Sequence, residues 1–202
     1  MQEKKQVIIG NVTDKTKLKN PLAKLLVENF NLEIINFIKE SNVDSIHEIG
    51  CGEGHLSTLI RQNYFCKLKL SDLSKNIIEN NPILKSENVV FEEKSIYDLN
   101  KENDSAEMIV CCEVLEHLEY PNQALKKLYE LDTKFYLFSV PNEPIWRILN
   151  FLRAKYWSSL GNTPGHLQHW SKQSFLEILR NNNFIPQEIK SPLPWTIVLA
   201  TK

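Results

Sequence analysis

His47-Glu48-Ile49-Gly50-Cys51-Gly52-Glu53-Gly54 follows a short apolar run and precedes a helical pattern carried by Leu56, Leu59 and Ile60. Three glycines at alternate positions between a strand and a helix form a turn whose backbone can adopt positive φ and approach a ligand closely. The helix opening behind the turn offers unpaired N–H donors. A dinucleotide fingerprint spaces its glycines G-x-G-x-x-G and lays a pyrophosphate on that helix end. Here the spacing is G-x-G-x-G, and Glu48 stands two residues before the first glycine. A carboxylate there repels a pyrophosphate and suits a ligand that carries positive charge.

Outward from the turn, strand patterns fall at 45–49, 66–70, 89–92, 108–112 and 135–140, with helical patterns between them. Upstream, Leu22, Leu25, Leu26, Phe30, Ile34, Ile35 and Ile38 approximate a helical stripe behind Pro21. Ser74 is placed to cap a short helix running to residue 80. After Pro141, Ile145, Trp146, Ile148, Leu149, Leu152 and Tyr156 suggest an amphipathic helix, followed by a loop at 158–169. Ser171 caps a helix over 172–182, and two strands close the chain at 185–189 and 195–201. This alternation predicts an α/β fold, a doubly wound and mostly parallel sheet with helices on both faces. Residues 190–194 are too few for a parallel crossover, so the last two strands should form an antiparallel hairpin.

The 202 residues suffice for one sizeable core, and no linker divides them, which predicts a single domain over 1–202. Hydrophobic content of 42%, charged content of 24% and a net charge of -1 describe an ordinary globular domain with no basic footprint for wide nucleic-acid binding. No apolar run approaches bilayer length, and Met1-Gln2-Glu3-Lys4-Lys5 does not read as a secretory signal. Cys51, Cys66, Cys111 and Cys112 contain no C-x-x-C pair, which argues against a disulfide framework or zinc knuckle. A reduced, cytoplasmic protein is expected.

Asp72 ends the second strand about twenty residues beyond the glycine turn, where an acidic side chain meets ribose hydroxyls in doubly wound nucleotide sites. The competing role is a turn residue, since Ser71-Asp72-Leu73-Ser74 is turn-rich. With these two features together, the chain resembles the class I S-adenosylmethionine-dependent methyltransferases, in particular their small-molecule subgroup. Glu48 to Gly54 looks like the first motif of that superfamily, and Asp72-Leu73-Ser74 like its second. Residues 110–118 (VCCEVLEHL) resemble the segment after its fourth strand.

The resemblance implies sheet order 3-2-1-4-5-7-6 with an antiparallel last strand, an N-terminal helical cap over 1–40 and a substrate-covering insertion over 141–170. It also implies S-adenosyl-L-methionine as cofactor and S-adenosyl-L-homocysteine as product. The ammonium and sulfonium of that cofactor match the positive charge that Glu48 invites. Carried over by position, Glu48, Gly50, Cys51, Gly52 and Gly54 would meet the methionine part, with Asn20-Pro21-Leu22 near the site. Asp72 would hold the ribose, Leu73, Ser95 and Ile96 would lie by the adenine, and Glu113 would join the cofactor shell. Ser95 stands where the family often has an acidic residue, and Asp98 lies three residues later.

If residues 113–117 open a helix, Glu113, Glu116 and His117 share one face at i, i+3 and i+4. That set suits a divalent metal, a general base or an ion-paired helix start, where acidic residues are favoured anyway. His117 is the expected base because an imidazole titrates near neutrality, with His166 and His169 of the loop before Ser171 as alternatives. No metal is expected on this reading. Small-RNA terminal ribose methyltransferases carry a similar E-x-x-E-H segment and a later histidine. Their pattern maps metal ligation onto Glu113, Glu116, His117 and His166, with RNA as acceptor. Trp146 reads as core, whereas Tyr156, Trp157 and Trp170 flank the loop and can wall a pocket. Three classes follow: methyl transfer to an oxygen, nitrogen or carbon of a small-molecule or lipid acceptor, metal-assisted RNA methylation, and a non-catalytic cofactor binder. The intact glycines, Glu48 and Asp72 argue against the last.

Overall fold

Side chains that alternate along a strand face opposite sides of a sheet, so runs apolar at every position are buried on both faces. A computed structural model, describing residues 20–152 and 165–202, shows seven strands. They are β1 (Ser45–Ile49), β2 (Lys67–Asp72), β3 (Val89–Glu93), β4 (Met108–Cys112), β5 (Phe135–Pro141), β6 (Ile185–Lys190) and β7 (Trp195–Thr201). The central β1, β4 and β5 and the neighbouring β7 are the most buried. Their order is β3-β2-β1-β4-β5-β7-β6, as expected. Strands β1 to β5 pair in parallel, and β7 runs antiparallel to both β5 and β6. The order reverses direction between β1 and β4, and such a switch point leaves a crevice at the carboxyl ends of the strands.

The helices are α1 (Pro21–Ser41), α2 (His55–Asn63), α3 (Lys75–Ile78), α4 (Lys101–Asp104), α5 (Pro121–Glu130), α6 (Ile145–Leu152) and α7 (Lys172–Asn181). Met108, Val110, Leu137 and Ile197 pack in one core with Phe30, Ile34, Ile38 and Ile60 of α1 and α2. Ile109, Cys111, Tyr136, Phe138 and Val198 pack in the other with Leu125, Leu128, Phe175 and Leu179 of α5 and α7. By the same alternation Glu48 shares the α1–α2 face with Ile46.

His47, on the opposite face, is fully buried, with Nδ1 2.8 Å from the Asp104 carbonyl and Nε2 2.9 Å from Ser71 Oγ. Burial pushes its pKa down to about 4, so the ring is neutral. Asp104, equally buried, pairs with Lys69 at 2.7 Å and Lys94 at 2.9 Å. This network ties α4 to β1, β2 and the end of β3, and fixes the strand end that carries Asp72.

Local chemistry sets the helix ends. Asn20 accepts the Leu22 N–H at 2.9 Å to cap α1, and Ser171 caps α7 through the Ser174 N–H. Ser74 occupies the cap of α3 but makes no side-chain bond there, and α3 stops at Ile78 instead of reaching residue 80. The reason lies downstream, where Asn81 caps a separate 3-10 turn beginning at Pro82. All four cysteines are free thiols. Among the described residues no helix is long and apolar enough to cross a membrane.

Candidate active site

Gly50, Gly52 and Gly54 have φ of 71°, 52° and 76°, a region that side chains with a Cβ rarely adopt. The N–H groups of Gly50 and Cys51 both donate to the Ser71 carbonyl, at 2.8 and 3.1 Å. The Gly52 N–H donates to Asp72 Oδ2 at 2.8 Å, and Gly54 becomes the residue that starts α2. Asp72 therefore braces the turn with one oxygen, while the other accepts from the Ser74 N–H at 3.3 Å. A carboxylate has about four lone-pair sites, so both oxygens retain capacity for ribose hydroxyls.

A cavity of about 490 Å³ opens beside this turn, between α1 and α2. Glu48, Gly50, Cys51, Gly52 and Glu113 line it together, as do Cys112 and, from α1, Val27, Phe30 and Asn31. The middle of α1 covers the cavity; Asn20, Pro21 and Leu22 are not part of its wall. Asp72, Leu73, Ser95 and Ile96 lie outside it along the β2–β3 edge. Leu73 is 53% exposed, the Ser95 hydroxyl accepts the Tyr97 N–H, and the Ile96 side chain is taken up by the core.

Glu48 is buried and accepts from Ser57 Oγ at 2.5 Å. Burial pushes its carboxyl up to about 8, with the Asp72 charge adding to the shift and the Ser57 bond opposing it. A folded-state pKa above the unfolded one stabilises the protein most at low pH, and that contribution is lost as pH rises toward 8. Between pH 6.5 and 8 the ligand-free protein should lose about 2 kcal/mol of unfolding free energy on this account. Urea titrations across that window check it: the slope should vanish in Glu48→Gln, and an equal slope in both proteins refutes the assignment.

After β4 the chain does not enter a helix at once. Glu113 has φ 58°, and only Leu115–His117 form a single 3-10 turn. The expected shared face of Glu113, Glu116 and His117 is corrected accordingly. Glu113 turns away, its carboxylate accepting from Ser139 Oγ at 3.1 Å and Trp195 Nε1 at 2.8 Å. Val114 lies so close to the turn that a Cβ on Gly50 would sit 2.5 Å from its Cγ2.

Residues 165–168 are laid across the 3-10 turn by hydrogen bonds. The N–H groups of Leu167 and Gln168 donate to the Glu116 carbonyl at 2.8 and 3.0 Å. Gln168 Nε2 donates to the Leu118 carbonyl, and His117 Nδ1 lies 2.9 Å from the Gly165 carbonyl. That carbonyl requires a proton on Nδ1 and leaves Nε2 as the basic nitrogen. The result places the His166 and His117 rings edge to face, with centroids 5.0 Å apart. Ligand-capable atoms of Glu116, His117 and His166 all lie within 4.8 Å of one another.

His169 is not in this cluster, for its Nδ1 sits 3.7 Å from Glu143 Oε1. Trp170 is buried in the core against Phe175. Trp146 packs as expected, between His166 and Trp195, whose other neighbour is Phe30. Tyr156, Trp157 and parts of the expected cap and insertion lie outside the described residues. Ser139 and Trp195 reach the site from β5 and β7, and spacing along the sequence does not show that. Ser57, by contrast, left a trace, as a hydroxyl on the buried side of α2 with Ile60.

A family model described as a methyltransferase domain matches residues 21–188. The chain belongs to the methyltransferase domain family. Ubiquinone biosynthesis O-methyltransferase, mitochondrial, from Candida albicans is 30% identical over 101 residues, covering 46% of this chain and 31% of that protein. The match thus spans about a third of that relative's length. The solved structure of magnesium protoporphyrin IX methyltransferase from Synechocystis with bound S-adenosylhomocysteine superposes with a TM-score of 0.68 at 16% identity, over 92% of this chain and 89% of the other. Small RNA methyltransferase HEN1 superposes with a TM-score of 0.69 at 18% identity, over 95% of this methyltransferase and 26% of HEN1. At such identities the likeness is one of fold.

Proposed function

We propose that the protein transfers a methyl group from S-adenosylmethionine to a hydroxyl oxygen of a small-molecule or lipid acceptor. His117, in a cluster with Glu116 and His166, would take up the acceptor's proton. The observation that carries this reading is their convergence within 4.8 Å, on a segment packed directly against the glycine turn. The donor's ammonium and sulfonium fit the described site, whose walls combine close backbone approach with the carboxyls of Glu48 and Glu113. Asp72 has acceptor capacity left for the ribose, and exposed Leu73 offers an apolar surface for the adenine. When bound, S-adenosylmethionine supplies an electrophilic methyl group on a sulfonium that leaves as S-adenosylhomocysteine.

The residues of this chain align the acceptor and move its proton. Alignment contributes most in such a displacement. A hydroxyl nucleophile gains further from a base, which an amine with a free lone pair does not need. His117 is oriented for that role by the Gly165 carbonyl at Nδ1, leaving Nε2 to accept the proton. The name of the Candida relative, an O-methyltransferase, supports oxygen as the target. The net charge of -1 favours a small acceptor over a polyanion, and a cytoplasmic setting suits four free thiols.

A second reading is favoured by the donor set itself. One carboxylate and two imidazoles resemble a three-ligand divalent site with open positions, for which the Gly165 carbonyl would be outer support to His117. A hydroxyl of an RNA 3′-terminal ribose would then be the acceptor. Glu113, bound to Trp195 and Ser139, is outside that set. Edges of about 3.4 Å in a tetrahedral zinc site also require the 4.8 Å cluster to contract.

Transfer of labelled methyl groups to phenolic, alcoholic and amine acceptors and to short RNA decides between the readings. We expect transfer to hydroxyl-bearing small acceptors that survives exhaustive chelation, and a fall of about a hundredfold in kcat for His117→Ala with cofactor affinity unchanged. Transfer confined to RNA, lost on chelation and restored by Mn²⁺ or Zn²⁺, overturns the first reading in favour of the second.

A further inference from the structure

Ser57 lies in the first turn of α2 with its side chain fully buried, and its hydroxyl donates to Glu48 Oε2 at 2.5 Å. A serine there usually spends its hydroxyl on its own helix or on water. Here it reaches across to β1 and holds Glu48, one of the carboxyls that line the cavity beside the glycine turn. We propose that Ser57 is a positioning residue of the cofactor site: it holds Glu48 at the cavity and eases the loss of its proton when the ammonium of an amino-acid headgroup arrives.

The charges around Glu48 explain why the ligand-free protein keeps the proton. From the end of β2 comes the Asp72 carboxylate, and from the segment after β4 comes Glu113. The turn adds the Cys51 thiol and Glu53, β4 adds the Cys112 thiol, and α2 adds His55, which pairs with Glu53 at 2.8 Å. The described residues of α1 that wall the cavity, Val27, Phe30 and Asn31, carry no charge. A buried carboxyl among other carboxylates holds its proton until a cation arrives. When the ligand's ammonium arrives, the Glu48 O–H bond breaks, the proton passes to buffer and the carboxylate pairs with the ammonium. The donated Ser57 hydrogen bond strengthens as that charge appears.

The proposal rests on Glu48 facing the cofactor's ammonium. Calorimetric titration of the full chain with S-adenosylhomocysteine, in phosphate and in Tris from pH 6 to 9, tests it. Wild type should release close to one proton at pH 7, and its affinity should rise about tenfold per pH unit below 8 before levelling. Ser57→Ala should bind about tenfold more weakly at pH 7, with the profile displaced to higher pH and the deficit closing above it. Ser57→Thr, which keeps the hydroxyl, should restore the wild-type profile. Should Ser57→Ala fail to fold, Glu48→Gln carries the test, binding without proton release and with a flat profile. A loss in Ser57→Ala that is equal at every pH reduces Ser57 to packing and overturns the proposal. Tight wild-type binding with no proton released overturns it alone, whereas no binding by the folded wild type overturns the cofactor assignment as well.

Discussion

Gly50→Ala is expected to abolish S-adenosylhomocysteine binding and to lower the unfolding free energy by about 3 kcal/mol, adding a backbone term and an overpacking term. The backbone term arises because alanine at φ 71° forces its Cβ toward a carbonyl oxygen. The overpacking term arises because that Cβ would lie 2.5 Å from Val114 Cγ2, closer than any real contact. Either the turn or the 113–117 segment must move, and both carry the site. Gly52→Ala is the matched control, since it has φ 52° but no neighbour within 4 Å of its Cβ. It should cost only the backbone part, about 1 kcal/mol. Val114→Ala should return part of the loss in the Gly50→Ala background, a coupling that a double-mutant cycle measures. Equal stabilities for the two glycine variants in urea titrations would sink this account.

The contrast between these glycines shows what could be read in advance. The glycine spacing located the turn and the strand and helix around it, because positive φ and period-two burial are local properties. The antiparallel β6–β7 hairpin followed from a connection too short for anything else. The site's second half was legible as residue types and not as geometry. Glu113 read as a helical neighbour of Glu116 because spacing alone assumes regular backbone, yet the chain takes φ 58° there and turns the carboxylate to Trp195. His166 meets His117 only because Leu167 and Gln168 bond to the 116 and 118 carbonyls and the Gly165 carbonyl accepts from the His117 ring, across some fifty residues of chain. No periodicity carries such information. His169, equally plausible by residue type, pairs with Glu143 because the backbone of 142–143 is tied to Trp170.

Asp72→Ala should weaken S-adenosylhomocysteine binding by about a hundredfold, on the basis of about 1.5 kcal/mol for each of two hydrogen bonds to a charged acceptor. Asp72 performs a second task, however, since its Oδ2 also accepts the Gly52 N–H and so braces the turn that holds the methionine part. The two contributions separate by chemistry. Asp72→Asn keeps an oxygen for the Gly52 N–H but puts an amide donor against the Ser74 N–H and where the other ribose acceptor stood, so it should lose about tenfold in affinity. An analogue of S-adenosylhomocysteine without ribose hydroxyls should bind wild type and Asp72→Asn alike, because the contact that distinguishes them is gone. If Asp72→Ala weakens that analogue as much as it weakens S-adenosylhomocysteine, Asp72 serves only the turn. If both ligands keep wild-type affinity in a folded Asp72→Ala protein, neither role holds.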